Sequence, residues 1–326
     1  MNKIVFTCNS GEEGLGHFIR CFNIASALQK LNPCLKIYFD GKYCVFALSK
    51  IKRQNFTLVD IDRRDEIYKE SIVIFDSYLH NQEKINEISL KSLFSIKIDD
   101  FNLYDLSELD CVINFRANAE EENYKSKKTC LGLNYYPAPL GLVDLRKRNI
   151  SEFENKKRKN TKKILIFIGG NDKFNNAKRI IKELDNSLTG KEFFCLTKNI
   201  KKTEFLIRKN SLKILNFQSD ISAILHKVDA VICGGGLMKY DAGFSLLPCA
   251  SISQNEYQEI DSKVCNAKNI IYNFGLHNKI SNSSLKKSII EFLDSRYQIK
   301  LKENLIYQYK SNSSKKLAKE ILSFYE

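Results

Sequence analysis

Residues 4–31 read IVFTCNSGEEGLGHFIRCFNIASALQKL. The β-branched and aromatic run Ile4–Cys8 gives way to a glycine-rich turn. Phe18, Phe22, Ala25, Leu28 and Leu31 then repeat at helical spacing up to Pro33. Strand, glycine turn and helix in that order form a nucleotide-type βα unit. Outward from it, the first half alternates helical patterns with short apolar runs: LKIYF (Leu35–Phe39), FTLVDI (Phe56–Ile61), IVIFD (Ile72–Asp76), FSIKI (Phe94–Ile98) and CVINF (Cys111–Phe115). Such alternation predicts a parallel sheet covered by helices.

A second series follows, with KILIFIGG (Lys163–Gly170), FFCLT (Phe193–Thr197), LKILNF (Leu212–Phe217), DAVICGGG (Asp229–Gly236) and PCASIS (Pro248–Ser253). Between Asp144 and Lys163 the apolar pattern gives way to DLRKRNISEFENKKRKNTKK, the composition of an exposed connection. The expected organisation is therefore a Rossmann-like domain over 1–148, a linker over 149–162 and a second Rossmann-like domain over 163–326. In the last segment, Leu317, Ile321 and Phe324 share one helical face, so the final helix should pack back on a domain surface. In such sheets ligands sit beyond the carboxyl ends of the strands.

Composition agrees with two folded domains. The chain has 326 residues, 43% of them hydrophobic and 28% charged, with only 4 Pro and 14 Gly, which excludes disordered, collagen-like and low-complexity classes. No apolar run approaches the roughly 20 residues of a membrane span, and MNKIVFTCNS carries no signal-peptide pattern, so a soluble cytoplasmic protein is expected. The ten cysteines form no C-x-x-C pair and lie mostly in apolar stretches, the pattern of buried reduced thiols. The formal charge of +14 is spread along the chain without a nucleic-acid motif and reads as a lysine-rich solvated surface, with no nucleic-acid partner expected.

Three glycine turns carry the candidate chemistry. Gly14-Leu15-Gly16-His17 ends the loop after the first strand, where backbone can approach a ligand and helix N–H groups favour anionic oxygen. His17 reads either as a structural residue of the helix start or as a base projecting towards a ligand. Gly169-Gly170-Asn171-Asp172 repeats the geometry, as a tight turn capped by Asp172 or as a ligand contact. Gly234-Gly235-Gly236 can present several N–H groups to a diphosphate, with Asp241 about a turn further on to accept from ribose hydroxyls. Three successive glycines each cost about 0.5–1 kcal/mol relative to Ala, which favours a functional reason for them.

Gly14-x-Gly16-His17-x-x-Arg20, Phe75-Asp76-Ser77-Tyr78, Lys97-Ile98-Asp99-Asp100, Ile168-Gly169-Gly170-Asn171-Asp172 and Gly235-Gly236-Leu237-x-x-Tyr240-Asp241 occur in register over essentially the whole chain. In this the sequence resembles the PseG/SpsG-type family, which includes the UDP-diacetamido-trideoxy-sugar hydrolases of pseudaminic acid synthesis and is related to MurG-type glycosyltransferases. The resemblance implies the GT-B fold, with a UDP-sugar between the domains. His17 would face the anomeric carbon and Tyr78 would position water or sugar. Gly14, Gly16, Gly169, Gly170, Asn171, Gly234, Gly235, Gly236, Leu237, Met238, Asp241 and Asn255 would contact the nucleotide sugar. The chain departs from the family pattern with Thr7, Cys8 and Asn9 after the first strand, Met238 after the late glycines, Asp241 in place of Glu, and Glu256 beside Asn255.

The function implied is inverting, metal-independent hydrolysis of a UDP-linked amino sugar without cofactor. Diphosphate leaves readily once backbone N–H groups take up its charge, and His17 would deprotonate the attacking water. The alternative is a GT-B glycosyltransferase of cell-surface polysaccharide synthesis, in which an acceptor hydroxyl replaces water and the basic surface could meet an anionic membrane. A non-catalytic nucleotide-sugar or polyanion binder is the third reading. Asp60-Ile61-Asp62 has a D-x-D form but reads as a solvated turn, and Asp99-Asp100 as a helix-entry cap or a site pair. His80, His226 and His277 lack metal-ligand spacing and read as structural.

Overall fold

Ile4, Val5 and Phe6 are wholly buried because β1 (Lys3–Cys8) lies inside a parallel sheet whose two faces are both covered. β1 pairs with β2 (Lys36–Asp40) on one side and β4 (Ile72–Asp76) on the other. β3 (Thr57–Leu58), β5 (Phe94–Ile98), β6 (Cys111–Asn114) and β7 (Lys128–Leu131) complete a seven-stranded sheet of order β3-β2-β1-β4-β5-β6-β7. The helices between them are α1 (Gly16–Leu31), α2 (Val45–Arg53), α3 (Arg64–Lys69) and α4 (Gln82–Lys91). In this computed structural model all residues are described except 1–2, 12–13, 156–159, 171, 198–206, 217–220, 310–311 and 326.

A second sheet has the order β10-β9-β8-β11-β12-β13 and is again wholly parallel. Its strands are β8 (Lys163–Phe167), β9 (Glu192–Leu196), β10 (Ser211–Leu215), β11 (Ala230–Gly234), β12 (Cys249–Ser253) and β13 (Tyr272–Leu276). The accompanying helices are α5 (Leu142–Glu154), α6 (Asn176–Ser187), α7 (Ser222–Leu225), α8 (Met238–Phe244), α9 (Glu256–Ala267), α10 (Asn282–Phe292) and α11 (Ser295–Gln308), and α12 (Ser313–Leu322) closes the chain. Strand order reverses between β1 and β4 in one sheet and between β8 and β11 in the other. A doubly wound sheet leaves a crevice at the carboxyl ends of such a pair.

The chain divides into two units, Met1–Leu140 with Ser311–Glu326, and Gly141–Lys310. Both expected boundaries need correction. Of the stretch read as a linker over 149–162, residues 149–154 belong to α5 of the second unit. α5 buries Leu142, Leu145 and Arg146, and the Arg146 guanidinium donates to the Phe244 and Tyr309 carbonyls. Asn149 adds a bond of 2.7 Å to the Ser245 carbonyl. A polar, basic helix is thus held by side-chain donors on backbone acceptors, a tie that apolar periodicity does not reveal. The last helix, expected within the 163–326 domain, belongs to the first unit. α12 lies along α1, Ser314 donates to the Ala138 carbonyl at 2.6 Å, and Lys128 pairs with Glu320 at 2.9 Å.

Two strands carry too little apolar signal to be read from sequence. β7 (KTCL) and β13 (YNFGL) are the edge strands on one side of each sheet. Gly275 lies at φ 101° within β13, and the β12–β13 register shifts there. The run expected over Phe56–Ile61 shortens to two paired residues on the opposite edge, because Asp60 caps a turn by accepting from the Asp62 amide.

Candidate active site

Asp76 ends β4 and His17 opens the helix that follows β1, the two strands that flank the first switch point. Gly14 lies at φ 85° and closes a short bridge with Gly11, which turns the chain so that α1 begins at Gly16. No side chain caps this helix start. His17 is therefore in the first turn, 4% exposed, while Asp76 is the last residue of β4 and 1% exposed. His17 Nδ1 lies 2.6 Å from Asp76 Oδ1. A carboxylate at that distance accepts, so Nδ1 carries the hydrogen and the ring's lone pair sits on Nε2. The Arg20 Nη2 group, 3.2 Å from the same Nδ1, is a second donor sharing Asp76 Oδ1, which it meets at 2.5 Å.

Arg20, one turn beyond His17, anchors the cluster. Its Nε donates to Asp76 Oδ2, and its Nη1 reaches both oxygens of Asp100 at 2.9 Å. Burial opposes the charged forms of Asp76 and Arg20, but their partners outweigh it. Asp76 is held below the ordinary carboxylate range by Arg20 and His17, and Arg20 is raised well above its usual value by Asp100 and Asp76. The Tyr78 hydroxyl donates to Asp100 at 2.5 Å, and its ring meets the His17 imidazole edge-on at 4.4 Å between centroids. Burial of the hydroxyl, and then Asp100, push the Tyr78 pKa up, so it remains a donor. The residue as a whole is 56% exposed, while its hydroxyl is fixed on Asp100.

The Asp99-Asp100 pair divides between structure and site. Asp99 accepts from the Phe101 and Asn102 amides, from Lys97 at 2.8 Å and from the Tyr124 hydroxyl at 2.9 Å. Asp100 alone faces Arg20 and Tyr78. Asp76, Asp100 and Arg20 lie within the quoted motifs, yet roles for them could not be read from sequence. The contacts that define them join residues 56 to 80 positions apart.

In the second unit the glycine turns stand at the second switch point, after β8 and β11. Gly234 packs so tightly that a Cβ there would lie 2.2 Å from the Ile168 carbonyl oxygen, and one at Gly235 would meet the Gln258 side chain at 2.5 Å. Gly170 and Gly236 instead border open space, with nothing within 4 Å of an added Cβ. Gly169 lies at φ 119°, and Gln254 bridges the turns by donating to the Ile168 carbonyl at 3.2 Å. Asn171 lies outside the described residues. Asp172 caps the start of α6, accepting from Asn176 and Ala177 at 3.0 and 2.8 Å.

Three of the residues expected at the nucleotide are placed as follows. Met238 is 7% exposed and directs its side chain into the core; Leu237 before it is half-buried. Asp241, expected to meet ribose, is 5% exposed within α8. Asn255 Oδ1 caps α9 by accepting from the Gln258 amide at 2.9 Å, which commits that oxygen to the helix. A residue that sequence reading missed sits among them: Lys239 is 1% exposed, paired with Asp261 at 2.7 Å. Burial disfavours its charge, but Asp261 more than compensates and its pKa is raised. Among the described residues no three His, Cys, Asp or Glu side chains gather as a metal-ligand set, and no helix is long and apolar enough to cross a membrane.

No family model matches the chain. It is 24% identical over 281 residues to an uncharacterized protein of Methanocaldococcus jannaschii, covering 79% of this chain but only 57% of that relative's length. It is 20% identical over 320 residues to the spore coat polysaccharide biosynthesis protein SpsG of Bacillus subtilis, covering 92% of this chain and 91% of the relative. Acinetobacter baumannii MurG superposes with a TM-score of 0.68 at 9% identity, over 99% of this chain and 100% of that one. The fold is GT-B. The S. aureus MnaA–UDP co-structure gives a TM-score of 0.67 at 10% identity over 100% and 97% of the two chains. The glycosyltransferase SnogD from Streptomyces nogalater gives 0.60 at 9% over 99% of each. Each GT-B unit here thus carries one cluster at its own switch point, titratable in the first and glycine-lined in the second.

Proposed function

We propose that the chain is a GT-B glycosyltransferase acting on a UDP-sugar in polysaccharide synthesis, with the buried His17–Asp76 pair as its base. That pair is the observation that carries the reading: a carboxylate fixes the tautomer of an imidazole at a strand switch point, where doubly wound sheets bind ligands. In the proposed step the Nε2 lone pair takes the proton of an acceptor hydroxyl, and its oxygen forms the new bond to the anomeric carbon. The bond from that carbon to the diphosphate oxygen breaks, and UDP leaves with the electron pair. A single displacement inverts the anomeric centre. Asp76 stabilises the imidazolium that results, while Tyr78, fixed by Asp100, orients the reacting groups. The glycine turns after β8 and β11 supply N–H groups for the diphosphate charge. One relative and two structures of similar fold support this reading by their names: the relative in polysaccharide biosynthesis, one structure bound to UDP and the other a glycosyltransferase.

Hydrolysis is the second reading, favoured by the five motifs that run in register with the PseG/SpsG pattern. Water would replace the acceptor with the same base and leaving group. UDP release from a panel of UDP-linked amino sugars, with and without polysaccharide or lipid-linked acceptors, separates the two. Release only with an acceptor supports transfer, and release of free sugar without one supports hydrolysis. Failure to bind or turn over any UDP-sugar overturns both. His17→Ala should abolish turnover while UDP affinity persists.

A further inference from the structure

Lys239 lies in the first turn of α8, directly after the third glycine turn, and is 1% exposed. Its ammonium donates to the Gly235 carbonyl and lies 3.4 Å from the Gly236 carbonyl and 2.7 Å from Asp261 Oδ2 on α9. The Tyr240 hydroxyl in turn donates to Asp261 at 2.8 and 3.0 Å. Packing alone does not call for this arrangement, since a buried ion pair is often replaced by apolar side chains at no loss of stability. Two of the three contacts go to the carbonyls of the glycine loop.

Across a trans peptide the C=O and the following N–H point in opposite directions. Drawing the Gly235 and Gly236 carbonyls towards Nζ therefore turns the Gly236 and Leu237 N–H groups away from it. Among the described residues neither amide donates to a backbone carbonyl, and the Gly236 backbone borders open space. We propose that Lys239 is a positioning residue that holds these two amides outward as donors for a nucleoside diphosphate. This rests on the UDP-sugar reading above. The same ammonium adds a fixed positive charge beneath the loop, balanced within the protein by Asp261.

The test is Lys239→Met combined with Asp261→Asn, which removes both charges together and keeps a partner for Tyr240. Calorimetric titration with UDP and with uridine should show UDP affinity falling about tenfold or more and uridine affinity unchanged. A role confined to stability would weaken both ligands in proportion or neither, and either result overturns the proposal. Amide NMR of the wild-type protein decides the matter if the variant fails to fold. Gly236 and Leu237 resonances should shift with UDP and with inorganic pyrophosphate but not with uridine, and their indifference to pyrophosphate overturns the proposal. Wild-type protein that binds no uridine nucleotide removes the UDP-sugar reading as well. Wild-type binding matched by the variant removes the Lys239 assignment alone.

Discussion

Asp76 accepts from His17 on one oxygen and from Arg20 on both, so its replacement by an isostere isolates electrostatics from packing. Asp76→Asn keeps the volume but offers the imidazole a neutral amide, which no longer fixes the tautomer or stabilises the imidazolium. Turnover should fall about 10³–10⁴-fold while UDP affinity stays within about twofold of wild type, as read by steady-state kinetics and calorimetry. A parallel loss of UDP affinity would place Asp76 in binding instead. The same residue makes a pH prediction. Its folded pKa lies below the unfolded value of about 3.9, so its contribution to stability is present above that value and drains away as pH falls below it. Asp76→Asn has nothing to titrate there. Urea midpoints between about pH 5 and about pH 3 should fall less steeply for the variant than for wild type.

At the scale of elements, the β8–β11 junction separates fold from site within three adjacent glycines. Gly234→Ala forces a methyl to 2.2 Å from the Ile168 backbone oxygen, so one strand must move; Gly236→Ala meets nothing within 4 Å. Melting of the second unit should drop for Gly234→Ala and hold for Gly236→Ala, which should instead weaken UDP binding. Unchanged UDP affinity in Gly236→Ala would remove that glycine from the cradle. These turns were legible in the sequence because glycine reports a local backbone need. The central strands were legible for a similar reason: burial on both faces leaves unbroken runs such as IVIFD at Ile72–Asp76. The edge strands β7 and β13, buried less evenly, left no such run. α5 escaped because Arg146 and Asn149 bind backbone carbonyls about 100 residues away. The His17–Asp76 contact and the Lys239–loop contacts are tertiary facts of the same kind. The motifs named most of the relevant residues, but only the folded chain shows which atoms meet.

At the scale of the whole molecule, the chain enters the second unit once, at 140–141, and leaves it once, at 310–311, to finish on the first. The core formed by Ile166, Ile180, Phe193, Ile232 and Phe292 lies wholly within residues 141–310, so that segment should fold alone. The first unit has no such independence. Leu317, Ala318 and Ile321 of α12 are at most 1% exposed, and the helix lies along α1, the helix that carries His17 and Arg20. Removing α12 takes away the burial of those side chains and exposes to water the α1 surface beneath them, at about 1.5–3 kcal/mol for each large apolar side chain whose burial is lost. That total is a large share of the 5–15 kcal/mol typical of a domain. A chain ending at residue 310 should therefore lose the thermal transition of the first unit and its catalytic activity. Its second unit should keep its own transition and its UDP affinity, although the deletion directly adjoins that unit in sequence. Differential scanning calorimetry of the full chain, the truncated chain and the 141–310 fragment checks this. A truncated chain in which the second unit melts early while the first is unaffected would show that α12 supports the sheet it follows in sequence, against the contacts described above.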